Sequence, residues 1–143
     1  MIGSTNPGAA RDLLVVGETQ DPEPGPEEVR LRVSASGINP GDVKKRQDSF
    51  GYGMPYPRII PHSDRAGIVD RVGPGVSTTR VGERVWCYGA QSYRPFGTAA
   101  EFVVVSSMQV VAADRGPYRC FRGNTSTVGR GTRTVALGQT SQE

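Results

Sequence analysis

The sequence predicts an all-β chain, with short strands wrapped as a β-barrel or sandwich and one or two short helical turns. Three observations carry this. Glycine and proline together make up 30 of the 143 residues, about 21%, against roughly 12% in ordinary usage, and that density of turn formers suits short strands joined by tight turns. Residues 28–35 alternate apolar Val29, Leu31, Val33 and Ala35 with polar Glu28, Arg30, Arg32 and Ser34, the period of a half-buried strand. No segment has the length a βαβ crossover needs.

The elements follow in order. Residues 12–16 form a short apolar run, and residues 19–26 (TQDPEPGP) form a proline-rich turn that no helix or central strand crosses. The alternating strand 28–35 comes next and is broken by residues 37–41 (GINPG). Asp42 then caps a short helical turn through Val43, Lys44, Lys45 and Arg46. Residues 51–57 (GYGMPYP) are irregular, and Ile59-Ile60 lead into residues 61–64. Residues 66–72 (AGIVDRV) read as a strand ended by Gly73-Pro74-Gly75, and Val81-Gly82-Glu83 as the turn before a strand at 84–88. Residues 97–105 (GTAAEFVVV) and 108–112 supply the last strands, for a total of about six.

Beyond Asp114 the character changes. Residues 1–114 carry 12 Lys/Arg against 13 Asp/Glu, while residues 115–143 carry 5 Arg against 1 Glu. All the basicity behind the net charge of +3 therefore sits in the tail. The expected division is one domain over 1–114 and an irregular basic tail over 115–143, which shows neither strand nor helix period. A small arginine excess in one irregular segment is a weak basis for nucleic-acid binding, and that partner is not expected. Gly129-Arg130-Gly131 is not a dinucleotide fingerprint, because Thr134 stands where the third glycine belongs and no strand leads in. No apolar run approaches the ~20 residues that span a bilayer, and the opening MIGSTNPGAARD lacks a secretory apolar stretch. No membrane association is expected, and the expected compartment is cytoplasmic. Cys87 and Cys120 lie 33 residues apart with no Cys-x-x-Cys spacing, which supports neither a disulfide framework nor a four-cysteine zinc lobe.

Three groups are candidates for chemistry. Asn39-Pro40-Gly41-Asp42, followed by Lys44, Lys45 and Arg46, reads either as a turn with a helix cap or as the polar rim of a cleft. His62-Ser63-Asp64 brings three catalytic residue types together, but neighbours on an extended chain point to opposite faces and do not align as a triad. His62 is the one histidine of the chain, so a zinc site lacks companions and no metal is expected. The aromatic residues Phe50, Tyr52, Tyr56, Trp86, Tyr88, Tyr93 and Phe96 suit core or interface packing.

Taken in order, the motifs resemble a known family. They are Pro24-Gly25-Pro26-x-Glu28-Val29-x-Leu31-x-Val33, Ala35-Ser36-Gly37-Ile38-Asn39-Pro40-x-Asp42, Ile60-Pro61-x4-Ala66-Gly67, Val72-Gly73-x-Gly75-Val76, Val81-Gly82-Glu83-Arg84-Val85 and Gly97-Thr98-Ala99-Ala100-Glu101-Phe102. Across residues 15–114 they resemble, in order and spacing, the N-terminal GroES-like domain of the medium-chain dehydrogenases/reductases. Within that superfamily the chain is similar to the zinc-free NADPH:quinone oxidoreductases, the zeta-crystallin-like branch. Asn39 stands where zinc-dependent alcohol dehydrogenases have a cysteine ligand, and Ser63 where they have a histidine.

The resemblance implies a GroES-like β-barrel and hydride transfer from NADPH to a small-molecule quinone, enone or carbonyl, without zinc. It implies that Asn39 and Asp42 lie near the nicotinamide and ribose, and that Tyr52 and Ser63 line the substrate cleft. It also places Lys44 beside them, where an ammonium steadies negative charge on a reduced oxygen. Arg65 stands at a position read as a glycine of the family, so the backbone there is expected to differ. The family's Rossmann domain is expected to be absent, since its lead-in gives way near Asp114 to the arginine-rich tail. A truncated or frame-shifted coding sequence is the implied cause. The chain alone is then expected to be inactive, and its uncovered apolar surface to favour association, including with a second copy. The alternative is a non-enzymatic GroES-like binding or interaction module.

Overall fold

The computed structural model describes residues 14–51, 53, 56–92, 94–113 and 134–138. Its strands are β1 (Leu14–Gly17), β2 (Glu28–Gly37), β3 (Arg58–Ile59), β4 (Asp64–Val72), β5 (Arg84–Cys87), β6 (Phe102–Ser106), β7 (Val110–Ala112) and β8 (Thr134–Gly138). One helix, α1 (Pro40–Arg46), and two 3-10 turns, Thr78–Arg80 and Ser107–Gln109, complete the described elements. The mainly-β expectation holds.

A five-stranded antiparallel sheet runs in the order β6-β2-β4-β5-β7. If flat, its two edge strands would lie about 19 Å apart. Yet β6 and β7 are joined by the three-residue turn Ser107–Gln109, and the four steps from Ser106 to Val110 reach at most about 14 Å. The sheet must therefore curl. Register shifts between Arg30 and Leu31 and between Val33 and Ala35 sharpen the twist of β2 against β4. Inside the curl, Val29, Leu31, Val69, Val85, Cys87, Val103, Val105 and Val110 pack with Ala90 as the core. Of the alternating residues read from the sequence, Val29 and Leu31 fill this core, while Val33 and Ala35, at the second register shift, are only half-buried.

Arg30 is buried on the outer face of β2 and fully partnered. Its Nε donates to Asp70 Oδ2 at 2.7 Å, Nη2 pairs with the same oxygen, Nη1 meets Glu23 at 3.1 Å, and the guanidinium lies 4.9 Å from the Phe102 ring centroid. Paired in this way, a buried charge is tolerable.

Three expectations are corrected. Residues 97–101 are not strand: the Thr98 and Ala99 N–H groups donate to the carbonyls of His62 and Pro61 (2.9 and 3.0 Å), so the ladder of β6 begins only at Phe102. The approach is close, and a Cβ on Gly97 would lie 2.4 Å from the carbonyl oxygens of Ile60, Pro61 and His62. Residues 107–109 form a 3-10 turn, with the Ser106 hydroxyl accepting the Met108 N–H, and the last strand of that run starts at Val110. The tail expected to be irregular contains β8, an apolar TVALG segment that pairs with β1 and β3 in a three-stranded sheet; the rest of 115–143 lies outside the described residues. Arg65 itself sits in regular β4 opposite Ser36 and Cys87, while nearby His62 takes a positive φ of 71°.

Candidate functional site

Where β2 ends, the chain turns through Asn39, still extended at φ −113° and ψ 153°, into α1. Pro40 at the first helical position costs no hydrogen bond there. The Asp42 carboxylate accepts the Asn39 main-chain N–H at 2.8 Å, and the Asp42 N–H donates to the Asn39 carbonyl at 2.9 Å. Helix capping thus fixes the Asn39 backbone.

The side chain of Asn39 is fixed from across the sheet. Its Nδ2 donates to Asp64 Oδ2 at 2.7 Å, and Asp64 Oδ1 accepts the Gly89 N–H at 3.3 Å. Asp64 opens β4, in register with Gly37 at the end of β2, and that pairing brings two residues 25 apart in sequence together. Half-buried Asn39 is thus held by two carboxylates, its side-chain amide by Asp64 at the start of β4 and its main-chain N–H by Asp42 on α1.

Beside the clamp runs a hydroxyl–imidazole chain. Ser36 Oγ lies 2.8 Å from Thr98 Oγ1 and 3.0 Å from His62 Nδ1, and Thr98 Oγ1 donates to the Asp64 carbonyl at 3.1 Å. Each hydroxyl has one proton. Thr98 uses its own on the carbonyl, so Ser36 donates to Thr98, and His62 Nδ1–H donates to Ser36. The neutral imidazole then presents Nε2 as an acceptor. Burial pushes the His62 pKa below its ordinary 6.5, partly opposed by the nearby Asp42 charge, which keeps the ring neutral at pH 7.

The structure brings Asn39 and Asp42 together and leaves Lys44 apart. Lys44 is exposed in the last turn of α1, and residues two apart on a helix do not face each other. Its neighbour Lys45 instead reaches Gln91 Oε1 at 2.8 Å, tying α1 to the loop before Arg94. Ser63 is half-buried, and its carbonyl accepts the Ala90 N–H at 2.9 Å. Tyr52 lies outside the described residues. His62, Ser63 and Asp64 do not converge as a triad, because His62 turns to Ser36 and Asp64 to Asn39. Among the described residues no group of three or more His, Cys, Asp or Glu side chains is placed to hold a metal.

Residues 25–115 match the alcohol dehydrogenase GroES-like domain family. The chain belongs to that family. This GroES-like domain is 36% identical over 98 residues to a quinone oxidoreductase of Rattus norvegicus, covering 66% of this chain and 29% of that protein. A solved alcohol dehydrogenase superfamily protein from Novosphingobium aromaticivorans aligns with a TM-score of 0.61 and 33% identity, covering 68% of this chain and 30% of the other. A mycobacterial protein solved in complex with NADPH aligns with a TM-score of 0.56 and 27% identity, covering 69% and 29%. The chain thus spans about 30% of the length of the relatives it matches.

Sequence reading passed over Asp64, Ser36 and Thr98 as site-forming residues of this GroES-like domain. The Asp64 contact depends on the antiparallel register of β2 and β4. The Ser36–Thr98 contact bridges 62 positions, a separation that carries no local signal.

Proposed function

We propose that this domain forms the substrate side of a cytosolic, zinc-independent reductase that uses NADPH to reduce quinones or related enones and carbonyls. The observation that supports it most is Asn39, whose side-chain amide is held by Asp64 and whose main-chain N–H is held by Asp42, because a held amide can both donate and accept, which suits the carboxamide of a nicotinamide. The dinucleotide, when bound, supplies the hydride. Asn39 and Asp42 orient its nicotinamide end, Ser63 and Tyr52 border the substrate, and Lys44 lends positive potential at the rim. An amide at 39 and a hydroxyl at 63 are poor substitutes for the thiolate and imidazole of a zinc site, which favours the metal-free reading.

The described residues fit only the nicotinamide end. Among them no strand leads through a glycine-rich turn into a helix that could cradle a pyrophosphate, so this length of chain alone is close to inactive. The test is a titration of the ¹⁵N-labelled chain with reduced nicotinamide mononucleotide and with a water-soluble naphthoquinone. Shifts concentrated at Asn39, Asp42 and Ser63 are expected, without turnover. Shifts confined elsewhere refute the site, and saturable micromolar NADPH binding by nicotinamide fluorescence refutes the inactivity.

The second reading is a non-enzymatic interaction module. It is favoured by an apolar ridge on the outer sheet face, where the rings of Trp86 (46% exposed) and Tyr88 (51%) lie 6.1 Å apart at a 43° tilt beside Val111 (41%). Concentration-dependent sedimentation that Trp86→Ser abolishes, with no nicotinamide shifts, would favour the module over the reductase.

A further inference from the structure

Arg65 is the second residue of β4, on the inward-facing row it shares with Gly67 and Val69. Its relative exposure is 4%, and Nε, Nη1 and Nη2 are all buried without a hydrogen-bond partner. Arg30 is equally buried in the same sheet and holds two carboxylates and a ring, so the missing partners are a property of this site rather than of buried arginines in this fold. Two groups nearby are candidate counter-charges, and neither serves. Asp64 lies on the opposite face with its carboxylate committed to Asn39 and Gly89. Cys87 stands opposite Arg65 in register, but burial holds its thiol up at about 11, so it is neutral at pH 7. Arg65, though lowered to about 10 by burial, stays charged.

A buried charge is stable only when paired. We propose that Arg65 forms an anion-binding site inside the barrel that takes a small monovalent anion such as chloride. Five N–H donors in a rigid fork await an acceptor. Gly67 lets the guanidinium lie against the sheet backbone, since a Cβ there would stand 2.2 Å from the Arg32 carbonyl oxygen and 3.0 Å from Arg65 Nη2. The charge class follows from the surroundings: the cost of dehydrating an ion rises with the square of its charge, and the in-register neighbours, Ser36 and the neutral thiol of Cys87, offer a divalent phosphate or sulfate no second positive charge. Anion binding to the folded chain alone raises its stability with anion concentration.

The test uses the whole chain. ³⁵Cl NMR line widths are measured in sodium chloride, and unfolding midpoints are compared between chloride and gluconate at matched ionic strength. Wild-type protein is expected to broaden the chloride line, to lose that broadening when bromide competes, and to gain stability in chloride over gluconate. Arg65→Met is expected to remove all three effects, and Arg65→Lys to retain part of them. Should the methionine variant not fold, bromide competition on wild type still decides. Broadening that survives in Arg65→Met, or its absence from wild type, overturns the proposal.

Discussion

Replacing Arg65 by methionine should stabilise this domain. A guanidinium pushed down to about 10 by burial is disfavoured in its charged form by about 3 kcal/mol, at 1.36 kcal/mol for each tenfold change. Methionine is apolar, unbranched and of similar reach, and the volume it leaves unfilled costs about 1 kcal/mol. The net gain is about 2 kcal/mol, which for a domain of this size raises the melting temperature by roughly 8–16 °C. Urea and thermal unfolding, followed by the fluorescence of Trp86, would measure it in gluconate buffer, where no chloride offsets the charge. The pH dependence carries the sign. Because the folded-state pKa of this base is depressed, its penalty is complete at every pH below about 10 and fades as pH rises through 10, where the folded state binds fewer protons than the unfolded chain. The advantage of the variant should be flat from pH 7 to 9 and shrink above 10. A methionine variant that unfolds at lower urea than wild type in gluconate would refute the reasoning, since the guanidinium would then be making contacts worth more than its burial costs.

Gly97→Ala should abolish folding, because its Cβ would stand 2.4 Å from three main-chain oxygens, whereas Gly41→Ala, in α1 with nothing within 4 Å, should gain about 0.5–1 kcal/mol; parallel circular-dichroism melts compare them. His62, the one histidine, should titrate below 6.5 by proton NMR. Since the unfolded chain binds that proton more readily, stability should fall as pH drops below 6.5, and a His62→Gln variant should show a smaller fall. Asp64→Ala removes the acceptor for Asn39 Nδ2 and Gly89 N–H and should cost about 1–3 kcal/mol, with the Asn39 side-chain amide resonance moving toward its unfolded position. An unmoved resonance would mean the clamp does not form in solution. In a Cys120→Ser background, Cys87, buried with its thiol held up at about 11, should react with a disulfide reagent at pH 8 only at the rate of unfolding.

The sheet was largely legible because its signal is local. Val29, Leu31 and Val33 alternate with arginines in a way only a strand satisfies, and Pro74 between two glycines ends β4 whatever surrounds it. The elements that escaped were decided by distant atoms. Residues 97–101 have strand composition, yet their N–H groups are claimed by the carbonyls of His62 and Pro61. Thr134–Gly138 gained strand structure only because β1 and β3 flank it, and no period within five residues announces that.

The site divides along the same line. Asn39 and Asp42 are three apart, within one helix cap, and their contact follows from turn chemistry alone. Asp64 was visible as a residue but not as a partner, since composition does not show which carboxylate a register will carry to Asn39. Arg65 is the sharper case. In sequence Arg65 stands just ahead of the strand read over 66–72, and nothing there shows which face it takes. Only the pairing of β4 with both β2 and β5 reveals that its row faces inward, beside Val69 and Val85. Consistency between pattern and burial is what makes the rest of this sheet predictable, so an inward charge that breaks it without a compensating partner is where structure adds most to sequence. Charge and burial conflict there, and an ion from solution is what would reconcile them.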